Sequence, residues 1–227
     1  MAVRSAWDYD TRLPAFLDWA TSVGSTLLHG AAVFAWNADK AYLLDLERAA
    51  VPVVPSAVVE RPRDLVDAAE KYAGAAMVKP RTGADGRGVV RVRDPDDLAH
   101  VSDGPWLVQP LVESVRSEGE QSVFVFGGRA TSQLRKVAGD HDIRVHEHHG
   151  GASHPTRLDP EAGALAVRAL AAAADVTGTR LRYGRVDILR YQGRLVVSEV
   201  ELTEPSLYLD DIPENGEAFA EVLQANL

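Results

Sequence analysis

Two apolar stretches near the C-terminal end of the chain carry acidic residues at positions where a buried strand is otherwise apolar. The stretches flank Gln192-Gly193, a pair that predicts a β-hairpin. Because strand side chains alternate between faces, Glu199 and Glu201 point to one side, and the hairpin partner can bring Asp187 beside them. Three convergent carboxylates repel one another unless a cation neutralises them, and such oxygen ligands suit Mg²⁺. The hairpin therefore predicts a metal site, with the exposed face of an edge hairpin as the alternative.

A lysine and a glycine-bearing loop follow one another in the first half of the chain. Lys79 ends an apolar segment, and the loop after it contains Thr82, Gly83, Gly86 and Gly88. Glycines let backbone N–H groups approach phosphate oxygens, and the lysine supplies a positive charge. The GKS/T ending and the strand-to-helix context of a P-loop are missing, and the loop is no dinucleotide fingerprint. It is therefore a candidate phosphate cradle at the tip of a predicted hairpin, or else a simple turn.

The apolar periodicity predicts a mixture of helices and strands. Helical spacing predicts helices over 13–23, 37–49, 62–72, 96–100, 160–176 and 214–224. Strand patterns cover 75–80, 89–92, 106–112, 121–126, 130–137, 183–190 and 194–201, with an extended piece over 51–55. In the second helix, Asn37 is placed as the N-cap and Lys40 lies in the first turn, where a cation opposes the helix dipole. We therefore expect Lys40 to serve something other than helix stability.

The composition excludes several classes of function. With 24 basic and 33 acidic side chains the formal net charge is −9, so no overall positive field gathers nucleic acid or an anionic membrane. Cysteine is absent, which excludes disulfides, thiolate catalysis and zinc held by sulfur. The N-terminus has no apolar leader, and no window approaches about eighteen uninterrupted apolar residues. We therefore expect a cytoplasmic protein with small-molecule partners, one that binds neither nucleic acid nor a membrane.

An ordered set of residues joins these features along the chain. In sequence order the set comprises Lys40, Lys79 with its glycine loop, Leu107-Val108-Gln109-Pro110-Leu111, Glu118-Gly119-Glu120, Arg135-Lys136, Arg144, Asp187, Glu199 and Glu201. In this order and spacing, from about residue 36 to residue 209, the chain resembles the ATP-grasp superfamily. The resemblance implies an α+β fold in which two α+β lobes clamp ATP.

The same resemblance implies roles for these residues. Lys40 and Lys79 would reach the nucleotide phosphates, and the loop over 82–88 would close over them. The backbone over 109–111 would read the adenine, and Glu118 would hold the ribose or line the nucleotide pocket. The three carboxylates would carry two Mg²⁺ ions, with Mn²⁺ as a substitute.

Four shorter segments resemble one branch of the superfamily more closely. They are Trp36-Asn37-Ala38-Asp39-Lys40, Glu118-Gly119-Glu120-Gln121-Ser122, Arg144 with Gly150-Gly151, and Glu199-Val200-Glu201-Leu202-Thr203-Glu204-Pro205-Ser206-Leu207. The branch is that of the O-ureidoserine cyclo-ligases of cycloserine antibiotic biosynthesis, which Glu201 fits better than the asparagine of many ATP-grasp enzymes. The resemblance implies a ligase that converts an amino-acid-like carboxylate into an acyl phosphate, which a nitrogen of the same molecule attacks.

Other functions stay open at this point. An intermolecular carboxylate–amine ligase would need a separate amine substrate. A nucleotide-binding module would bind ATP without turnover. A homo-oligomer is also compatible with the sequence.

Arg135 and Arg144 are the candidate catalytic residues. A planar guanidinium can fork across carboxylate or phosphate oxygens and offset the charge of an acyl phosphate or a tetrahedral adduct. Surface ion pairs are the alternative for both. The histidines lack the spacing of a metal site and are interpreted as loop residues, with His149 as a candidate for the substrate pocket. This cluster comprises His141, His146, His148 and His149.

The segment Arg4-Ser5-Ala6-Trp7-Asp8-Tyr9 resembles a family motif that normally follows several dozen residues of an N-terminal α/β domain. We therefore expect three parts. They are a remnant of that domain over 1–33, the small ATP-grasp lobe over 34–112 and the large lobe over 113–227.

Overall fold

The computed structural model describes residues 1–101, 103–139, 145 and 150–225. The strands in this part of the chain form two antiparallel sheets. They are β1 (Ala57–Val59), β2 (Ala76–Pro80), β3 (Val90–Val92), β4 (Trp106–Pro110), β5 (Glu120–Phe126), β6 (Arg129–Val137), β7 (Ala152–Thr156), β8 (Tyr183–Tyr191) and β9 (Arg194–Glu201). The helices are α1 (Leu13–Val23), α2 (Gly30–Ala38), α3 (Tyr42–Arg48), α4 (Leu65–Glu70), α5 (Ser114–Ser117), α6 (Pro160–Thr177) and α7 (Glu214–Gln224). Short 3₁₀ turns occupy Tyr9–Arg12, Gly24–Thr26, Pro62–Asp64 and Pro95–His100.

Most predicted elements are found within a residue or two of their predicted bounds. The elements missing from the prediction are β1, β7, α2 and α5. β1 and α5 have only three and four residues, and β7 is exposed at most positions, so these three show no usable apolar period. In α2, nearly every residue is apolar, so no polar face marks a helix. Among the described ranges, no helix is long and apolar enough to cross a membrane.

The four-stranded sheet has the order β1-β4-β2-β3. All five residues of β4 are buried, because strands pair with it on both sides and α4 contributes to the core over one face. β2 and β3 form the predicted hairpin, with Val78 opposite Val90. The glycine loop lies beyond these paired residues, at the edge of the sheet nearest the second sheet's acidic hairpin.

The five-stranded sheet has the order β7-β6-β5-β8-β9 and carries a helix on each face. The side chains of β5 point alternately to the two faces of the sheet and so contact the two helices in turn. Val123 and Val125 pack with α6 in one core, while Phe124 and Phe126 pack with α7 in another. The sheet is therefore buried on both faces where the helices cover it. Asp187, Glu199 and Glu201 lie on the same face as α7, but beyond the part of the sheet that α7 covers.

The alanine-rich helix α6 is defined by its ends and its small residues. The Asp159 carboxylate accepts from the Glu161 N–H (2.8 Å), Pro160 stands in the first turn, and Gly178 ends the helix with a φ of 61°. Four alanines on the inner face are fully buried and let the helix lie close to the sheet; they are Ala162, Ala166, Ala169 and Ala173.

A bulge in the β8–β9 hairpin decides which face its acidic residues occupy. From the two-residue turn, the strands pair in simple register as far as Ile188 opposite Val197, after which Asp187 pairs with Glu199. Ser198 is therefore an extra residue in β9. Without it, both glutamates of β9 would lie on the side of Val197, which packs against α6. The bulge turns them to the opposite face, beside Asp187.

The single helix predicted over 37–49 is wrong, because the chain breaks between α2 and α3. Asp39 is extended, and its carboxylate accepts from the Ala41 N–H (2.9 Å). The Lys40 N–H donates to the Arg81 carbonyl oxygen (2.8 Å) rather than to a helical partner. These contacts end α2 and fasten the Lys40 segment to the chain just beyond β2.

Asn37 consequently lies inside α2 and caps no helix. Its side-chain N–H donates to the Val200 carbonyl oxygen (2.7 Å), and its oxygen accepts from the N–H groups of Leu202 (2.9 Å) and Thr203 (3.3 Å). Asn37 is buried. One amide side chain therefore satisfies the backbone where β9 ends and fixes α2 to the five-stranded sheet.

His29, which precedes α2, makes a second set of buried contacts with the five-stranded sheet and the segments next to it. One ring nitrogen, Nδ1, lies 3.0 Å from the Leu202 carbonyl oxygen, and Nε2 accepts from the Arg182 N–H (3.0 Å). The ring also stacks on Tyr183 at 4.4 Å between centroids. This pattern requires the neutral imidazole, with its proton on Nδ1.

We expect His29 to make the fold sensitive to acid. Burial lowers the pKa of His29 to about 4, from about 6.5 in an unfolded chain. Below pH 6.5 the unfolded state therefore binds a proton that the folded state refuses, and the free energy of unfolding falls by up to about 3 kcal/mol as the pH approaches 4. Urea unfolding at pH 7 and 4.5 measures this loss. In His29→Gln the loss should be smaller, and equal pH dependence in the two proteins contradicts the assignment.

Candidate active site

Most of the residues predicted to bind a nucleotide, and all three predicted to bind a metal, line one cleft of about 500 Å³ between the two sheets. β2 and β4 line it from the four-stranded sheet, and β5, β6, β8 and β9 from the five-stranded sheet. The predicted residues that line the cleft are Lys40, Lys79, Gly83, Gly86, Gln109, Pro110, Leu111, Asp187, Glu199 and Glu201. Residues from the N-terminal half of the chain thus face the acidic hairpin, which lies near the C-terminus of the sequence.

The carboxylates of Asp187, Glu199 and Glu201 offer oxygen atoms that lie within 4.8 Å of one another. Asp187 is the most firmly held of the three. It accepts from the Ser122 hydroxyl (2.6 Å) and pairs with the Lys136 Nζ (3.0 Å). Such a set of clustered hard oxygen donors fits a divalent cation of the Mg²⁺ type.

Basic side chains of the protein already contact these carboxylates. The Arg185 guanidinium donates to Asp187 from Nε (3.0 Å) and Nη2 (2.9 Å) and also forms an ion pair with Glu201. Lys40 forms an ion pair with Glu199. A metal ion at this place would therefore share or replace the contacts of Arg185 and Lys40.

The three carboxylates differ in their readiness to ionise. Burial would raise the pKa of each, but Lys40 and Lys79 outweigh it at Glu199 and lower that pKa to about 2. Burial is likewise outweighed at Asp187, where Arg185 and Lys136 hold the pKa well below its usual range. At Glu201 burial prevails over Arg185, with help from the neighbouring carboxylates, and raises the pKa to about 8. Asp187 and Glu199 are therefore held ionised at neutral pH, and Glu201 is the carboxylate of the three that binds a proton most readily.

Lys79 is the basic residue of the cleft that is ready to accept a new anion. Its ammonium group forms no ion pair with any residue the structure describes, whereas Lys40 is paired with Glu199. Burial and the nearby charge of Lys40 lower the pKa of Lys79 to about 8. An anion beside it would stabilise the charged form.

The glycine loop is tied to the N-terminal turn. Arg87 donates to the Asp10 carboxylate (2.6 Å) and to the Trp7 carbonyl oxygen (3.1 Å). The Ala84 N–H donates to the second oxygen of Asp10 (3.3 Å). The loop therefore stands over the cleft with a defined partner on its outer side.

The other end of the cleft is apolar, with Val54, Met77 and Leu189 among its lining residues. One backbone group predicted to read a base there is already engaged, because the Leu111 N–H donates to the Ala75 carbonyl oxygen (2.6 Å). The side-chain amide of Gln109 is engaged as well and donates to the Ser56 hydroxyl (2.9 Å). A base in this pocket would have to be read by other groups of the segment.

Several predicted residues lie elsewhere. Glu118 is exposed and pairs with Arg190 (2.9 Å), and Thr82 and Gly88 do not line the cleft. Arg135 is exposed, because alternation along β6 turns it away from the cleft-facing Lys136. Arg144 and the histidines at 141, 146, 148 and 149 fall outside the described residues.

Four charged cleft residues outside the glycine loop were given no role by the sequence analysis: Glu120, Lys136, Arg185 and Glu204. Arg185 carried a usable signal, since it precedes Asp187 by two positions in one strand and must share its face. Lys136 required the register of β5 and β6, in which it pairs with Glu120. Gly119 makes that pairing possible, since its φ is +79° and a Cβ there would collide with the Lys136 carbonyl oxygen.

Two lysines and a glycine loop that face clustered carboxylates, in a cleft between two antiparallel sheets, define the class of ATP-grasp ligases. The chain belongs to the RimK-like ATP-grasp family, whose domain matches residues 38–209. It is 31% identical to the cycloserine biosynthesis protein DcsG of Streptomyces lavendulae over 245 aligned residues, which cover 99% of this chain and 82% of that protein. The crystal structure of D-cycloserine synthetase DcsG superposes with a TM-score of 0.84 over 99% of this chain and 83% of that one.

More distant relatives are also ligases. A probable alpha-L-glutamate ligase of Hydrogenovibrio crunogenus is 31% identical over 163 residues, 68% of this chain and 52% of that protein. The ATP-grasp ligase PsnB, solved with a minimal precursor, Mg and ADP, has a TM-score of 0.63 at 19% identity over 97% of this chain and 77% of that one. The likeness to PsnB concerns the fold.

Proposed function

We propose that this chain is an ATP-dependent ligase that turns a substrate carboxylate into an acyl phosphate and closes it on a nitrogen of the same molecule. The observation that carries the proposal is the meeting of Lys40 and Lys79 with three carboxylates in one cleft. The similarity to the cycloserine biosynthesis protein over 99% of this chain supports the intramolecular version.

The two ends of the cleft suit the two ends of a nucleotide. The base would lie in the apolar part, beside Met77 and Leu189, with Pro110 and Leu111 at its edge. The phosphates would lie between the lysines and the backbone of the glycine loop. This placement leaves the acidic hairpin next to the terminal phosphate.

Asp187, Glu199 and Glu201 would hold two Mg²⁺ ions, which Mn²⁺ could replace. Bound Mg²⁺ would neutralise phosphate charge and orient the terminal phosphoryl group. The low pKa of Glu199 keeps that ligand ionised throughout the neutral range. The solved complex of PsnB with Mg and ADP supports the same pairing of nucleotide and metal.

In the proposed reaction, a carboxylate oxygen of the substrate attacks the terminal phosphorus in line, and ADP leaves with the electrons of the broken bond. The nitrogen then attacks the acyl carbon and loses its proton, and phosphate leaves. Lys40 and Lys79 offset the charge that gathers on the transferred group. The glycine loop, held by the Arg87–Asp10 contact, keeps water away from the acyl phosphate.

The proposal includes a division of the chain into parts. β1 to β4 all fall within 34–112, and β5 to β9 all fall within 113–227. This distribution supports a small lobe over the first range and a large lobe over the second. Residues 1–33 would then be a part of an N-terminal domain that contributes Trp7 and Tyr9 to the cleft.

ADP formation tests the proposal directly. The full chain is incubated with Mg²⁺-ATP and each of several amino-acid-like carboxylates, including both enantiomers of O-ureidoserine, and ADP and products are measured by mass spectrometry. We expect ADP and a cyclic product from one enantiomer without any added amine. Tight ATP binding with no carboxylate-dependent ADP would instead identify a nucleotide-binding module and refute the ligase.

An intermolecular carboxylate–amine ligase is the second candidate. The similarity to a probable alpha-L-glutamate ligase over 68% of this chain favours it. The same assay separates the two functions. ADP formation that depends on an added amine, with both molecules joined in the product, would replace the cyclo-ligase by the intermolecular enzyme.

Lys79 should couple nucleotide binding to proton uptake. Its pKa is about 8 in the free protein, and phosphate charge beside it should raise that value on binding. Above pH 8 the free protein has lost the proton that the complex needs, so ADP affinity should fall by up to about tenfold per pH unit. Calorimetry at pH 7 to 9, in buffers of different ionisation enthalpy, measures both quantities.

Lys79→Arg serves as the control for this linkage. Arginine stays charged at every pH used, so the variant should show a flatter profile and less proton uptake. The same slope in both proteins would assign the linkage to another group, such as Glu201.

A further inference from the structure

Two buried polar groups in the cleft have no part in the nucleotide and metal scheme. Tyr9 is 7% exposed and Glu204 is 8% exposed, and both line the cleft. Within the part of the chain that the structure describes, the Tyr9 hydroxyl has no hydrogen-bond partner, and the Glu204 carboxylate forms no ion pair. Each side chain therefore carries unused hydrogen-bonding capacity into the cleft.

The other carboxylates of the cleft are all paired, which sets Glu204 apart. The pairs are Asp187 with Lys136 and Arg185, Glu199 with Lys40, Glu201 with Arg185, Glu120 with Lys136, and Asp85 with Arg87. Burial raises the pKa of Glu204 to about 7, and Lys40 and Arg185 oppose this rise without forming an ion pair with the carboxylate. A buried carboxylate without a direct partner is costly, because its lost hydration is not replaced. A cationic group of a ligand can supply that partner.

An organic cation fits this place better than a metal ion. The oxygens that cluster within 4.8 Å belong to Asp187, Glu199 and Glu201, and Glu204 is not a member of that group. Tyr9 and Glu204 both face the cleft from buried positions, one from the N-terminal turn and the other from the segment just after β9. Burial raises the pKa of Tyr9, so its phenol stays protonated, and a neutral phenol is not a ligand that Mg²⁺ prefers. A carboxylate and a hydroxyl together suit the several N–H donors of a primary ammonium group.

We propose that Tyr9 and Glu204 form the subsite for the ammonium group of an amino-acid-like substrate. Glu204 supplies the opposite charge, and the Tyr9 hydroxyl accepts one N–H. The inference rests on the proposed function, because the ammonium group belongs to the molecule whose carboxylate that reaction activates. The subsite lies beside the metal-binding carboxylates, so it would fix the substrate with its carboxylate turned to the terminal phosphate.

The N-terminal turn gives Tyr9 a defined place. The ring lies 5.4 Å from that of Phe16 between centroids, and the next residue, Asp10, accepts from Arg87 and from the Ala84 N–H. Tyr9 is thus fixed between α1 and the glycine loop. Two neighbouring residues therefore place the Tyr9 hydroxyl in the cleft and hold the glycine loop through Asp10.

A pair of ligands that differ only in the amino group tests the subsite. D-cycloserine and isoxazolidin-3-one, the same ring without the amino group, are titrated by calorimetry into the full chain with ADP and Mg²⁺ present. We expect the wild type to prefer D-cycloserine by about tenfold or more, as for a hydrogen bond to a charged group. Glu204→Gln should reduce the preference to about twofold or less, and Tyr9→Phe should reduce it by about threefold. Glu217→Gln makes the same chemical change on the exposed side of α7 and should leave the preference intact.

The outcomes separate the subsite from the ligase. ADP affinity within about twofold of wild type shows that each variant keeps its fold and nucleotide site. Equal or undetectable binding of the two rings by the wild type, or an undiminished preference in Glu204→Gln, overturns the subsite. Carboxylate-dependent ADP formation by the wild type is measured separately, so the ligase can stand when the subsite fails. No ADP formation with any carboxylate removes the ligase, however the rings bind.

Discussion

Glu199→Gln is expected to lower carboxylate-dependent ADP formation by about a hundredfold or more. Glu199 is the carboxylate that Lys40 and Lys79 keep ionised, and one of its oxygens lies within 4.8 Å of an oxygen of Asp187 and of Glu201. Glutamine keeps the size of the side chain but removes the charge that a divalent cation requires. It also leaves Lys40 without its ion-pair partner. Initial rates of ADP release at saturating Mg²⁺-ATP measure the effect.

Mg²⁺ dependence separates a lost ligand from a lost fold. If Glu199 is a ligand, the variant should need at least about tenfold more Mg²⁺ or Mn²⁺ for half-maximal rate. Glu47→Gln alters an exposed glutamate of α3 and should keep the wild-type rate. Wild-type turnover in Glu199→Gln would remove the metal assignment of the whole hairpin.

Asn37→Leu is expected to lower the free energy of unfolding by about 4 kcal/mol. Leucine has a similar volume, but it leaves the Val200 carbonyl oxygen and the N–H groups of Leu202 and Thr203 without their partner in a buried place. Each unpaired buried group costs about 1–3 kcal/mol. For a chain of this length the melting temperature should fall by about 10 °C.

Gln224→Leu is the matched control, since it makes the same amide-to-leucine change at the exposed end of α7. Its free energy of unfolding should stay within about 0.5 kcal/mol of wild type. A melting temperature of Asn37→Leu within a degree or two of wild type would mean that water or a backbone shift satisfies those groups.

The acidic hairpin shows how far sequence reasoning reaches. The strand period predicts that Glu199 and Glu201 share a face, and the turn at Gln192-Gly193 predicts their partner strand. A simple two-residue hairpin, however, pairs Ser198 with Asp187 and turns both glutamates toward α6. The bulge that prevents this arrangement is a tertiary feature, because the core against α6 demands Val197 and Val200 on the same side.

Candidate site residues could be predicted where the neighbouring sequence alone shows that a residue is unusual for its position. Lys40, Lys79 and the glycine loop stand out as charges and glycines in unusual places. Lys136 and Arg135 are neighbours of equal charge, and only the pairing of β6 with β5 decides which of them faces the cleft. Tyr9 was unpredictable in this role, since its contact with the cleft depends on how the N-terminal turn meets a loop about 75 residues away.

The short stretch from Asn37 to Lys40 is attached to both halves of the molecule. The Asn37 side chain holds the end of β9, and the Lys40 N–H holds the Arg81 carbonyl oxygen just past β2. Moving the two sheets apart would therefore have to break one of these hydrogen bonds or bend the few residues between them. Either change would displace Lys40, so the position of its charge depends on how far apart the sheets lie.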